Sequence, residues 1–232
     1  YGQPPLDDLR VRQALSYAID REAINKVVMH GLGEATSTIF PTGFWATDPE
    51  TAQFYTHDVA KAKALLAEAG YPDGIDIDGW GWPDQTSMQR TELLVSQMAE
   101  AGIRLKITPA PAAQAMQNFY QQKQGAVSIN AGGGIPDPSL AYERLFAAKA
   151  LFNAGGIELD GFRDLLNATV ATSDPEQRRA ALHKLQRFVV ENALHMPLII
   201  SAGISVRTRN VQDFKFGITI GPKFHRVWLA EA

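Results

Sequence analysis

Two tryptophans separated by a single glycine are the first residues whose spacing suggests chemistry. Trp80 and Trp82 lie in residues 79–83, and in an extended chain the side chains of residues i and i+2 point to the same side. Such a pair predicts an aromatic wall for a ligand, because indole rings bury a large area at low cost in conformational entropy. Core packing beneath a loop is the alternative, and the residues alone leave it open.

A run of three glycines, Gly132, Gly133 and Gly134, is the second candidate. The run lacks the Gly-x-x-x-x-Gly-Lys-Ser/Thr spacing of a phosphate-binding loop and the Gly-x-Gly-x-x-Gly spacing of a dinucleotide fold. It indicates either a flexible turn or a loop at a strand end where the backbone approaches a ligand closely. We therefore predict a ligand site made of both tryptophans and the three glycines, in the loops 80–83 and 132–137.

Side chains for catalysis or metal binding do not occur in a usable pattern. The five histidines form no His-x-x-x-His pair, and the chain has no cysteine. There is no Gly-x-Ser-x-Gly nucleophile elbow, and the acidic pairs Asp76/Asp78 and Glu158/Asp160 have no base close by in sequence. The sequence thus predicts no enzyme activity, no metal and no cofactor.

Charge and hydropathy argue against two further classes of protein. Lys plus Arg number 22 and Asp plus Glu number 25, so the net charge is 22 − 25 = −3, and no basic patch indicates a nucleic-acid partner. The apolar segment 196–200 is far shorter than the ~20 residues that a membrane-spanning helix requires. A chain of 232 residues, 45% of them hydrophobic, is sufficient for one large globular domain.

Helix and strand patterns alternate along the chain, which predicts an α/β fold. Ile103, Leu105 and Ile107 alternate with polar residues and indicate the clearest half-buried strand. Residues 79–83 are expected to end an earlier strand because they are rich in glycine and proline. Strands are predicted at residues 75–77, 103–108, 126–131, 198–206 and 211–220.

Helices are predicted where apolar residues recur at three- and four-residue spacing. Asp7 or Asp8 is expected to cap the first helix, Gly70 to end the second, and Ser173 with Glu176 to form a capping box at the last. The predicted helices cover residues 6–29, 58–69, 86–101, 112–123, 139–148, 161–171 and 175–192.

Several segments resemble, in the same order, motifs of family 5 of the extracellular solute-binding proteins, the peptide, nickel and oligopeptide receptors of ABC importers. Residues 6–24, LDDLRVRQALSYAIDREAI, are similar to the signature of that family and form the most specific match. Further resemblance lies in residues 60–74, 97–107, 137–138, 153–160 and 174–197, so it extends over nearly the whole chain.

The resemblance implies a periplasmic-binding-protein-like lobe (type II, cluster C), with a mixed β-sheet flanked by helices. Residues 1–202 would form the second, ligand-closing lobe. Residues 203–232 would form a C-terminal return segment that packs on a first lobe preceding Tyr1. Since the chain begins with neither a start methionine nor a targeting segment, we expect an excised piece of a bacterial protein that works in the periplasm or at the cell surface.

The implied function is that of the substrate-binding component of an ABC importer. It would capture a small polar solute or short peptide between two lobes and deliver it to a membrane permease. The alternatives are a ligand-sensing domain of the same fold in a cytoplasmic transcription regulator and a hydrolase, which would need a nucleophile–base pair not found here.

The ligand itself stays open because one family feature is missing. Peptide-binding members of the family carry a Trp and an Asp just before their Asp-Pro pair, and that Asp pairs with the ammonium group of the ligand. In an alignment on Asp137, the chain has Ala131 and Gly134 at those positions. A peptide, a sugar derivative and an opine-like compound therefore remain as candidate ligands.

Overall fold

The computed structural model describes residues 2–132, 134–216 and 221–231. Helices and strands alternate over most of the chain, which confirms the predicted α/β class. The helices are α1 (Leu9–Ala18), α2 (Arg21–Val28), α3 (Pro49–Ala52), α4 (Val59–Glu68), α5 (Gln85–Glu100), α6 (Ala112–Met116), α7 (Pro138–Phe146), α8 (Phe162–Ala168) and α9 (Pro175–Glu191), and a π-helical turn (Gln117–Gln121) follows α6. The strands are β1 (Glu34–Ala35), β2 (Ile75–Gly81), β3 (Ile103–Pro109), β4 (Val127–Ile129), β5 (Ile199–Ile200), β6 (Val211–Gln212), β7 (Lys215–Phe216), β8 (Pro222–Lys223) and β9 (Trp228–Leu229).

The central sheet has three parallel strands in the order β3-β2-β4. Its inner face carries apolar side chains of β2 and β3 that pack on α1, α2, α4 and α5 in one hydrophobic core. Its outer face carries charged side chains, such as Asp76 and Arg104, which pair at 2.7 Å. This division follows from the period of two along a strand. The antiparallel pairs β1–β5, β6–β9 and β7–β8 lie outside this sheet.

Strand β2 is longer than predicted, because residues 79–81 continue the strand instead of ending it. A Cβ atom at Gly79 would lie 2.2 Å from the carbonyl oxygen of Val127 on β4. The glycine therefore lets β4 pair closely with β2 and is an element of the strand rather than a breaker. The predicted end of the strand at residue 79 was wrong, because the sequence shows the glycine but not that the backbone of β4 lies against it.

The predicted helix 6–29 is two helices, α1 and α2, separated at Ile19 and Asp20. The backbone at Ile19 is extended, and the side chain of Asp20 accepts a hydrogen bond from the N–H of Ala23 at 2.9 Å, which caps α2. Arg21 stabilises the break, since its Nη1 donates to the carbonyl of Ser16 in the last turn of α1. The expected cap of α1 is confirmed: Asp8 accepts from the N–H of Arg10.

A second core lies between α7, α8 and α9 and includes the buried residues Tyr142, Phe162 and Leu185. Helix α9 begins at Pro175 as predicted, but the predicted capping box is wrong, because Asp174, not Ser173, accepts the N–H of Gln177 at 2.9 Å. Pro175 then occupies the first turn, where a missing N–H costs no hydrogen bond.

The C-terminal part contains less strand than predicted. Of residues 198–206 only β5 is a strand, and it pairs antiparallel with β1. Residues 217–220 of the predicted strand 211–220 lie outside the described residues. The predicted helix 112–123 is likewise shorter, since α6 passes into the π-helical turn. Within the described ranges, no helix has the length and apolarity needed to cross a membrane.

Candidate functional site

The carboxyl ends of β2, β3 and β4 meet at one edge of the central sheet. Gly81 of β2 is in register with Pro109 of β3 and with Ile129 of β4. The chain segments that follow, beginning at Trp82, Ala110 and Asn130, therefore leave the sheet side by side. Ligands of open α/β sheets bind outside the carboxyl ends of strands, so this edge is the candidate site.

Trp80 holds the backbone that leads into β4. It lies within β2, in register with Thr108 and Ser128, and its indole Nε1–H donates to the carbonyl oxygen of Gln124 at 2.9 Å. A Cβ atom at Gly125 would lie 3.2 Å from the indole ring, so the turn packs directly against it. The polar end of this indole is thereby used within the lobe, and its role toward a ligand stays a prediction.

Trp82 differs from Trp80, although only one residue separates them. It is the first residue beyond β2 and is half-buried. Its Nε1 atom is buried and has no hydrogen-bond partner in the described part of the chain. A buried N–H without an acceptor is costly, and such groups in native proteins call for an explanation. Trp82 thus carries a buried donor without an acceptor among the described residues, and its role toward a ligand stays a prediction.

The glycine-rich loop after β4 begins at a small hydrogen-bonded cluster. The side-chain Nδ2 of Asn130 lies 3.1 Å from Ser128 Oγ and 3.3 Å from the hydroxyl of Tyr120. The Tyr120 ring meets Phe152 edge-on, with a centroid distance of 5.4 Å. Burial raises the pKa of Tyr120, while the hydrogen bond from Asn130 opposes this, so the hydroxyl stays protonated at neutral pH.

Gly132 and Gly134 lie in open space. A Cβ atom at either position would meet no atom within 4 Å, and neither residue has a positive φ. Neither crowding nor backbone conformation within this chain therefore requires glycine there, and the space beside the loop is free. Gly133 lies outside the described residues.

Asp137 fixes the far end of the same loop. It caps α7 by accepting the N–H of Leu140 at 3.1 Å. Its other carboxylate oxygen accepts from Arg178 of α9 at 2.6 Å. Burial raises the pKa of Asp137, but the hydrogen bonds from Arg178 and Leu140 outweigh burial and hold the pKa below its ordinary value of 3.8. The carboxylate is therefore already engaged at neutral pH.

A groove of about 500 Å³ adjoins this region, between the C-terminal half of α7 and residues 147–152. Phe152, which contacts Tyr120, forms part of its wall, and the guanidinium of Arg144 lies 5.1 Å from the centre of the Phe152 ring. Its remaining charged residues are Glu143, Lys149, Glu158 and Arg163. Among the described residues, no group of three His, Asp or Glu side chains is arranged to hold a metal ion.

Sequence analysis did not find Tyr120 or Asn130 as residues of this edge, nor the buried Arg90 of the neighbouring helix α5. Tyr120 and Asn130 meet only through the folding of the chain, so no local pattern indicates their contact. Arg90 left a signal, because it lies on the same face of α5 as the buried Leu94 and Gln97, at three- and four-residue spacing. An arginine at such a position is unusual, since arginine is almost never fully buried unless it is paired.

Comparison with known proteins agrees with the architecture. The family model "Bacterial extracellular solute-binding proteins, family 5 Middle" matches residues 1–153. The dipeptide-binding protein of Escherichia coli (strain K12) is 30% identical over 210 residues, which cover 87% of this chain and 38% of that protein. Heme-binding protein A of Haemophilus influenzae is 29% identical over 218 residues, which cover 90% of this chain and 40% of that protein. The chain thus spans about two fifths of the length of these relatives.

The same relation holds in three dimensions. The solved structure of HbpA2 from Haemophilus parasuis has a TM-score of 0.82 to this chain at 25% identity. The alignment covers 99% of this chain but 46% of that structure. The aligned part of this chain therefore corresponds to less than half of that structure.

Proposed function

The chain belongs to family 5 of the bacterial extracellular solute-binding proteins, and on that premise we propose that it is one lobe of the substrate-binding component of an ABC importer. The complete protein would capture a small polar solute or a short peptide and deliver it to a membrane permease. The observation that carries the proposal is the family match over residues 1–153, together with an edge of the sheet that is open where a ligand would bind. This match favours a receptor over the regulator considered as the alternative.

The proposed mechanism is closure of two lobes on the solute. A solute that contacts both lobes binds the closed state more tightly and so shifts the open–closed equilibrium toward it. In this lobe, Trp82 would supply an aromatic surface, and Gly132 to Gly134 would let the backbone approach the solute without side-chain interference. Trp80 would contribute its ring face, since its N–H is held by Gln124.

Residues 203–232 would pack on the first lobe, with residues 1–202 forming the second. Large apolar side chains in the tail support this division, because their exposure in the present chain would be relieved by a further surface. Those that are exposed in the described tail residues are Ile204, Val206, Phe224, Trp228 and Leu229. The first lobe would also supply the other half of the cleft.

The family is a non-catalytic transport component, and we propose that this member is likewise not an enzyme. Its place of work would be outside the cytoplasmic membrane of a bacterium, in the periplasm or at the cell surface. No nucleic acid is among the proposed partners, because the chain carries a net charge of −3 and no basic patch.

Calorimetry on the full-length protein and on this 232-residue chain, with the solute identified by mass spectrometry of the purified full-length protein, tests the proposal. We expect the full-length protein to bind and the chain to bind at least about tenfold more weakly, because half a cleft loses contacts but keeps the rigid-body cost of association. Equal affinities would place the whole site in this lobe and refute closure of two lobes. Absence of any bound or binding solute in the full-length protein would refute the receptor function itself.

A further inference from the structure

The glycine-rich loop of the candidate site is held at its ends rather than along its length. At its start, the side chain of Asn130 bonds into the cluster that contains Tyr120. At its end, Asp137 caps α7, and Ile135 packs against the second core. The main chain of the described loop residues 131, 132 and 134–136 makes no hydrogen bond to another described residue. The position of this stretch therefore depends on what holds its ends.

Arg178 of α9 holds the second end of the loop. Its Nη2 donates to a carboxylate oxygen of Asp137 at 2.6 Å and to Ser139 Oγ at 3.2 Å. Its Nε donates to the carbonyl oxygen of Thr169, the C-cap residue of α8, at 3.1 Å. One side chain thus connects the start of α7, the end of α8 and the start of α9.

The helix that carries Arg178 does not explain why an arginine lies there. Helix α9 begins at Pro175, so Arg178 is among its first four residues, where the positive end of the helix dipole disfavours a cation. The guanidinium instead meets favourable groups of two other helices, the capping carboxylate at the start of α7 and a carbonyl at the end of α8. The reason for an arginine at this position is therefore tertiary.

The guanidinium of Arg178 is also fixed from a third direction. Its central carbon lies 5.6 Å from the centre of the Trp45 ring, within the range of a cation–π contact. The carbonyl oxygen of Trp45 in turn accepts from Arg179 Nε at 3.1 Å, which holds the backbone beneath the ring. The side chain of Arg178 is 26% exposed, against 54% for Arg104 on the open face of the sheet. Arg178 thus has a defined position that it can impose on Asp137.

Arg187, on the same helix, makes a comparable pair at a place without a glycine-rich loop. It donates at 2.9 Å to Asp48, the capping carboxylate of α3. The segment before Asp48 has hydrogen bonds of its own, such as that from Thr47 N to the carbonyl oxygen of Phe44 at 3.0 Å. The described loop residues before Asp137 lack such bonds, so that loop depends more strongly on the ion pair at its end.

We propose that Arg178 is a positioning residue of the candidate site. Through Asp137 it would set where the glycine-rich loop lies beyond the carboxyl end of β4, without touching the solute itself. Glycine-rich backbone has many accessible conformations, and ordering it when a solute binds costs free energy. A loop whose end is already fixed pays less of that cost. This inference rests on the proposed receptor function and adds a residue of the second core to the site.

A spin label in the loop tests the proposal directly. The chain has no cysteine, and a Cβ atom at Gly134 would meet no atom within 4 Å, so Gly134→Cys can carry a single nitroxide without crowding. In the labelled 232-residue chain, Arg178→Met is expected to narrow the electron paramagnetic resonance lines, because the loop moves more freely. Asp137→Asn should also narrow them, since asparagine can still cap α7 but loses the charged pair. Arg187→Met is the matched control and should leave the line shape unchanged.

Line shapes that stay the same in both Arg178→Met and Asp137→Asn would overturn the proposal. Equal narrowing in Arg187→Met would also overturn it, because the cause would then be a general loosening of α9. The double variant Asp137→Asn, Arg178→Met should narrow the lines no more than Arg178→Met alone, since both changes remove the same pair. Arg178→Lys keeps the charge but not the fork and should restore part of the wild-type line shape. If Arg178→Met does not fold, Asp137→Asn decides, because it keeps the helix cap.

Solute binding by the full-length protein separates this inference from the receptor function. The amount of solute bound to the purified protein, quantified by mass spectrometry, should be lower in Arg178→Met than in the wild type and in Arg187→Met. Equal amounts in all three proteins would refute a role of Arg178 in the site. A protein that carries no solute in any variant would refute the receptor function, and the line shapes would still decide whether Arg178 positions the loop.

Discussion

Residues 9–200 and the tail, residues 203–232, differ in how far their large apolar side chains are buried. In the first region, leucines, isoleucines and aromatic residues of the helices and strands are buried in two large cores. In the tail, Trp228 and Leu229 are 57% and 69% exposed, and hydrogen bonds such as that from Ala230 N to Asn210 O run within the tail. The first region buries most of its large apolar side chains, whereas the described part of the tail leaves several of them exposed.

The edge of the sheet belongs to the first region but has an unusual feature of its own. Trp82 lies just beyond β2, and its Nε1 is buried with no acceptor among the described residues. The same holds for Nε of Arg90 in the neighbouring helix α5. Buried donors without an acceptor and exposed apolar side chains are both features that a folded protein usually avoids. The comparison therefore predicts which substitutions act on stability and which act only on association.

Leu185→Ala should produce the largest effect on stability. Leu185 is fully buried in the core of α7, α8 and α9, so the truncation leaves a cavity and should lower the free energy of unfolding by about 2–5 kcal/mol. Leu229→Ala in the tail removes the same atoms from an exposed site and should change it by less than about 0.5 kcal/mol. Urea unfolding of the 232-residue chain measures both. Equal costs would mean that the tail is packed in solution.

Trp82→Ala should act on binding rather than on the unliganded lobe. In the full-length protein it should weaken solute affinity at least about tenfold, or about 1.4 kcal/mol, and leave the melting temperature of the unliganded protein nearly unchanged. Calorimetry and thermal unfolding measure the two quantities. A sharply lowered melting temperature with unchanged affinity would make Trp82 a core residue.

The two tryptophans provide a matched control for that result. Trp80→Phe removes the hydrogen bond to Gln124 and should lower the free energy of unfolding by about 0.5–1.5 kcal/mol. Trp82→Phe removes an N–H that has no partner among the described residues, so it should cost less stability than Trp80→Phe. The opposite order would show that the indole of Trp82, not that of Trp80, is anchored within the lobe.

The parts of the fold that sequence predicts are those whose causes are local. Helices α4 and α5 and strand β3 follow from periodicity and from Gly70 and Gly102, which have positive φ after each helix. The break after α1 is not local, because Arg21 reaches the carbonyl of Pro197 across most of the chain. The continuation of β2 depends on the approach of Val127 to Gly79.

The features of the candidate site likewise divide into those that the sequence predicts and those that depend on tertiary contacts. Its location after β2 and β4 follows from strand patterns and from the rule for open α/β sheets. The different roles of Trp80 and Trp82 depend on whether an acceptor happens to lie beside each indole, and sequence spacing carries no information on that. A charged residue at an otherwise buried helix position is visible in the sequence, as at Arg90. That its Nε finds no acceptor among the described residues depends on the tertiary structure.

The ion pair of Asp137 with Arg178 should make a smaller contribution to the free energy of unfolding. Since the pKa of Asp137 in the folded lobe lies below the ordinary 3.8, its ionised form stabilises the fold above that pH, and this contribution is lost as the pH falls through the lowered pKa. Wild type should exceed Asp137→Asn in stability at pH 6 by no more than about 1 kcal/mol, because the carboxylate is half-exposed and screened. Urea unfolding at pH 6 and near pH 2.5 measures the difference. A gap that widens toward low pH would contradict the ion pair with Arg178.

Truncation after Ala202 should have the smallest effect and gives the sharpest test of the comparison. The tail forms the short pairs β6–β9 and β7–β8 with itself, and Phe224 packs edge-on against Phe214, with ring centres 5.9 Å apart. Loss of residues 203–232 should therefore change the free energy of unfolding of the remaining chain by less than about 0.5 kcal/mol. In the full-length protein the same deletion should lower the melting temperature and abolish solute binding, because the exposed apolar groups would there be buried against the first lobe at roughly 25 cal/mol per Å². A deletion that destabilises the isolated chain as much as the full-length protein would show that the tail belongs to the core of this lobe, and the division at residue 202 would be wrong.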